Sequence, residues 1–179
     1  MKELFLAIQA YLIAAFPNIY GYSGSIFVRL WNNQVQLMKD ETNEAQMYPF
    51  PLPAIFIEFL NDNEITQLGN GVQMFDPLTV RLHIVDNEFD SMDGCMEQNL
   101  NILTLKQQIY ASMQGFEPNG AVAFVRTQET QDYDHSNVYH FIQDYQTNYV
   151  DFTLNRPVNG IAITKVNNVV ITPEIDTHL

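Results

Sequence analysis

Two groups of residues in this 179-residue chain are of the types that do chemistry. Asp132-Tyr133-Asp134-His135, with His140 five positions further on, gathers carboxylates and imidazoles, the usual metal ligands and proton carriers. A small metal-dependent hydrolase could be built on Asp132, Asp134, His135 and His140. The spacing argues against it. On a strand His135 and His140 point to opposite faces, and on a helix a separation of five misses the i, i+4 geometry of paired metal ligands. Two carboxylates in a polar turn are more often a solvated cap or Asx turn. The second group is His83 beside Arg81, with Glu58 on a preceding strand. It makes a polar cross-strand cluster, which either tunes an acid or base or satisfies itself as structure.

Little else invites a catalytic reading. The sequence has no Gly-rich phosphate loop, dinucleotide fingerprint, serine elbow or paired-cysteine spacing, so we expect neither catalysis nor a cofactor or bound metal. Cys95 is the single cysteine and lies near an expected helix start, but it has no base partner in sequence and reads as a plain thiol. Its solitude excludes an internal disulfide and points to a reducing, cytoplasmic setting. Tyr139, Phe141, Tyr145 and Tyr149 share parity on one long strand, as a core face, a stacking platform or a subunit interface would. No Lys or Arg interleaves the row, which removes the electrostatic half of a single-strand nucleic-acid site.

The elements that must position these residues follow from periodicity. Leu4, Ala7, Ile8, Tyr11, Leu12 and Ala15 predict an opening helix that Pro17 terminates. At 13 residues its apolar stretch, Leu4 to Phe16, is too short to span a membrane, and Glu3 together with the lack of a cleavage site argues against a signal peptide. Ile26–Trp31 and Gln34–Met38 flank Asn32-Asn33 and predict a β-hairpin. Tyr48-Pro49-Phe50-Pro51-Leu52-Pro53 predicts a rigid connector.

Ile55 to Leu60, apolar on both faces, predicts a central strand, and Asn61–Gly71 a turn. Val72–Phe75 and Leu78–Asp86 predict further strands, the latter half-buried through Leu78, Val80, Leu82 and Ile84. Ile102, Leu105, Ile109 and Met113 line a second long helix closed by Gly115. Strands at Ala121–Thr127 and Val138–Phe152 follow, and Ile161–Val166 with Val169–Thr172 around Asn167-Asn168 predicts a terminal hairpin. The expected fold is α+β, an antiparallel sheet packed by two helices. One domain spans 1–156, and 157–179 forms a C-terminal β-hairpin arm that must pack on its own domain or another chain.

Composition narrows the partners. Twenty-one acids against eight bases leave a net charge of −13, which argues against gripping nucleic-acid phosphates. Hydrophobic residues at 46% with charged residues at only 16% suit a folded chain whose polar surface of Asn, Gln, Thr and Tyr makes protein contacts.

The order of elements resembles the tail-completion or tail-terminator proteins of tailed bacteriophages, within the wider group of head-to-tail connector and neck-ring subunits. The resemblance runs from Met1 to about Leu154. It is carried by the opening helix, the hairpin, Pro49-Phe50-Pro51-Leu52-Pro53-Ala54-Ile55-Phe56-Ile57-Glu58-Phe59, the strand to Asp86, the helix to Met113, and Asp132-Tyr133-Asp134-His135 leading into the aromatic strand. It implies a virion structural protein, assembled in the host cytoplasm, whose subunits close into a hexameric or dodecameric ring around the DNA channel. Its partners would be further copies of itself and the portal, adaptor or tail-tube proteins of the same virion, with DNA passing unbound and no membrane involved. Such a ring needs two complementary patches per subunit. The candidates are the connector (Pro49, Phe50, Pro51, Pro53), the aromatic strand (Tyr139, Phe141, Tyr145, Tyr149) and the arm (Ile161, Ile163, Val169, Ile171). An acidic monomer that binds or inhibits a basic partner is the other class to weigh.

Overall fold

The computed structural model describes residues 1–19, 22–35, 50–60, 64–86, 96–133 and 138–154. The expected arm at 157–179, with Ile161, Ile163, Val169 and Ile171, lies outside the described residues, as do Pro49, Cys95, Asp134 and His135. Helix α1 spans Lys2–Ala15 and buries Leu4, Ile8 and Leu12, three residues one helical turn apart. Each such burial stabilises by about 1.5–3 kcal/mol. Pro17 ends it: the residue before a proline is pushed out of helical space, and Phe16 sits at φ −124° and ψ 65°. Two short strands, β1 (Asn18–Ile19) and β2 (Tyr22–Ser23), pair antiparallel after it.

The main sheet has six strands: β3 (Phe27–Leu30), β4 (Ala54–Leu60), β5 (Ile65–Gly69), β6 (Val72–Asp86), β7 (Val125–Asp132) and β8 (Tyr139–Asp151). Their order is β3-β4-β6-β8-β7, with β5 paired on the near end of β6. Helix α2 (Met96–Met113) connects β6 to β7, and Gly115, at φ 78°, supplies the left-handed residue just past its end. The α+β class therefore holds. The sheet is mixed rather than wholly antiparallel, because β3 runs parallel to β4.

The expected first hairpin is not seen: its second strand does not begin at Gln34, and its residues 36–38 lie outside the described residues. Asn33 does adopt φ 55°, the left-handed angle expected of it, but Gln34 and Val35 wind into a tight helical turn and Val35 is buried. Parallel neighbours require a long crossover, and the chain between Trp31 and Pro53 provides it. A second correction concerns Asn61–Gly71, which is more than a turn. Ile65–Gly69 forms β5, and Asn70 and Gly71, both at positive φ, make a two-residue hairpin turn into β6. β6 is also one continuous strand, its register shifting between Phe75 and Leu78 where Pro77 lacks an N–H to pair.

The alternation of side chains divides the core in two. Leu78, Val80, Leu82 and Ile84 of β6, Ile55 and Ile57 of β4, and Phe141, Tyr145 and Tyr149 of β8 face both helices and meet Leu4, Ile8, Leu12, Ile102, Leu105, Ile109 and Met113. The opposite face is not open. Val35, Phe50, Ala54, Phe56, Val85 and Val138 form a smaller cluster on it, with Phe27, Trp31 and Leu52 against them. The far half of β6 is thus buried on both faces rather than half-buried, and His83 and Asp86 are buried with it.

Candidate functional site

The polar residues singled out in sequence converge beside that smaller cluster. Register places Glu58 opposite Arg81 across β4 and β6, and His83 opposite Phe56 and Ile142. Arg81 grips Asp144 of β8 through two parallel bonds, Nε to Oδ1 at 2.8 Å and Nη2 to Oδ2 at 2.9 Å, with Glu58 4.0 Å away. The Nε2 of His83 lies 3.1 Å from Glu58 Oε2 and its Nδ1 lies 2.9 Å from Nε2 of His140. Nδ1 of His140 in turn lies 3.0 Å from Oδ2 of Asp132. Four side chains from four strands therefore form one unbroken line, Glu58–His83–His140–Asp132. The Trp31 indole stacks flat on His83 at 3.7 Å and 6°, closing the line from above.

Electrostatics follow from that enclosure. Burial pushes the His83 imidazolium down to about 3, the neighbouring His140 and Arg81 push the same way, and Asp132 opposes them. Burial also raises Glu58; Arg81 opposes this and Asp144 adds to it. Burial alone would weaken Arg81's charge, but the Asp144 hydrogen bonds outweigh it and raise its pKa further.

Sequence reasoning grouped His83 with Arg81 and Glu58, and separately His140 with Asp132, Asp134 and His135; the structure joins His83 to His140 and Asp132 through the imidazole–imidazole contact, while Asp134 and His135 lie outside the described residues. Both ring nitrogens of His140 lie within hydrogen-bonding distance of neighbouring side chains, so a metal could be taken only by giving one up. Among the described residues no group of three or more His, Cys, Asp and Glu is placed to hold a metal ion. Trp31 and Asp144 were not foreseen, because neither crossover packing nor the register between β6 and β8 is visible in a single sequence.

The expected interface residues divide by burial. Phe141, Tyr145 and Tyr149 lie in the core against the helices, with Tyr139 packed at its edge, so the aromatic row is a core face that a partner cannot reach in this conformation. Phe50 is likewise buried, edge-on to Phe56 at 4.8 Å; Pro51 is exposed and Pro53 half-buried. Apolar exposure lies elsewhere. Every residue of β5 is exposed, and its Ile65 and Leu68 are 53% and 52% accessible. On the other flank of the sheet Val122, just before β7, and Val125, its first residue, are exposed to a similar degree. Among the described residues no helix is long and apolar enough to cross a membrane. No protein-family model matches the chain, and no curated protein matches it significantly.

Proposed function

We propose that this chain is a structural subunit of a tailed-phage virion, closing into a ring of six or twelve copies at the neck or tail that joins head to tail around the DNA. The observation that carries the proposal is the β5 edge: a strand exposed along its whole length, bearing two half-exposed aliphatic side chains and paired on one side only among the described residues. Exposed strand edges are aggregation hazards unless something covers them. β5 flanks β6 on the side of β4, whereas β7 closes the opposite flank. Two unlike edges on opposite flanks are what a heterologous, rotationally closing contact requires. The α+β class is compatible with the phage resemblance, and a charge of −13 suits a wall past which DNA slides.

Negative-stain imaging of the purified full chain tests the proposal. Closed rings with an open centre are the expected result. A preparation without rings at any protein concentration, in which the chain behaves as a monomer, overturns it in favour of the acidic binding protein.

A further inference from the structure

The line Glu58–His83–His140–Asp132 can be counted in protons. Three contacts join four groups, and each contact needs one hydrogen between its two heavy atoms. Two ionised carboxylates and two neutral imidazoles carry only two. In that state His83 donates to Glu58, His140 donates to Asp132, and the lone pairs of His83 Nδ1 and His140 Nε2 face each other at 2.9 Å. We propose that these four side chains share one proton beyond that ordinary complement, so that the His83–His140 contact is a proton-linked latch across strands β4, β6, β8 and β7.

The surroundings define where the proton resides. Placed on Glu58, it lets each group donate to the next along the line towards Asp132. Placed on His140, it makes an imidazolium between Asp132 and His83. Both arrangements, like the mirror image of the first with the proton on Asp132, keep His83 neutral; a charge on His83 would put a buried cation beside Arg81, whereas His140, as deeply buried, faces the Asp132 carboxylate. The raised pKa of Glu58 and the lowered one of His83 both favour a proton on Glu58 over one on His83. Among the described residues the charged groups beside the line are Arg81 on β6 and Asp144 on β8, while Arg29 of β3 shares the sheet face but lies over the Phe27 ring. Arg81 is held by Asp144, which moderates its pull on Glu58.

The latch has a defined pH signature. Above pH about 6.5 the unfolded chain holds between two and three protons on these groups and the folded chain holds three, so stability falls as pH rises through the folded pKa. Below about 6.5 the unfolded imidazoles take up protons that buried His83 refuses, so stability falls as pH falls. The optimum therefore lies near pH about 6.5, where the two states bind equal numbers.

Chemical unfolding of the full chain between pH about 5 and 9, followed by the fluorescence of Trp31, the only tryptophan, tests this in the wild type and in Glu58→Gln. The Gln amide supplies the third hydrogen permanently without titrating. The wild-type folding constant should drop on the alkaline side by up to about tenfold per pH unit, and Glu58→Gln should lose that limb while keeping the acid one. A wild type with no alkaline limb, or an identical limb in both proteins, overturns the proposal. Imidazole nitrogen-15 spectra of the wild type near pH about 6.5 provide a readout that needs no variant: one protonated and one unprotonated nitrogen at the His83–His140 contact are expected, and two unprotonated nitrogens refute it.

Discussion

At the residue scale, the core accepts polar atoms only where it can pair them. Gln143 is fully buried on the helix side of β8, yet its amide donates to the Lys106 carbonyl of α2 and to Glu129 of β7, and its oxygen accepts from the Tyr145 hydroxyl at 2.7 Å. Burial raises the Tyr145 pKa, so the hydroxyl stays a donor throughout the physiological range. Tyr145→Phe keeps the ring and strands the Gln143 oxygen, which costs about 1–3 kcal/mol. Tyr133→Phe, at a site 81% exposed, should fall within about 0.5 kcal/mol of wild type. Denaturant midpoints of the two variants measure the contrast, and equal midpoints would show that the Gln143 bond carries nothing. The parity of Tyr145 and Tyr149 was visible in the sequence. Their role was not, because parity defines a common face without saying what covers it.

At the element scale, legibility tracks burial. α1 and α2 were readable because each places a buried residue every turn, and β4 because it is apolar on both faces. β5 was missed for the converse reason. A strand that buries neither face has no period-two pattern, and only Asn70-Gly71 announced its hairpin. The parallel pairing of β3 was missed because Asn32-Asn33 signals a left-handed residue, which Asn33 is, without saying which strand the chain next meets. The Asn70-Gly71 turn yields a sharp expectation. Gly71 sits at φ 80°, and a Cβ there would collide with the carbonyl oxygen of Leu154. Gly71→Ala should therefore destabilise by more than about 1 kcal/mol, whereas Gly24→Ala, with nothing within 4 Å, should not. Thermal unfolding of both variants checks this, and a neutral Gly71→Ala would mean that the turn relaxes without cost.

At the scale of the whole molecule, the sheet divides labour between its faces. One carries both helices and the main core; the other carries the smaller aromatic cluster and the proton-bridged line. Among the described residues neither sheet face is open, and β5 on one flank and β7 on the other are edges on which exposed aliphatic side chains sit. Sequence reasoning expected assembly through the connector, the aromatic row and the arm at 157–179; Phe50 and most of the aromatic row pack internally, and the arm lies outside the described residues. The one exposed member of these among the described residues, Pro51, is a poor anchor by itself.

The most direct test of the ring is the solution mass of the full chain by light scattering across a concentration range, for the wild type and for the double variant Ile65→Lys, Leu68→Lys. A discrete hexamer or dodecamer of the 20.6 kDa subunit that falls to monomer in the variant is the predicted result. A wild type that stays monomeric throughout, or a ring that the two lysines leave intact, contradicts assembly through the β5 edge.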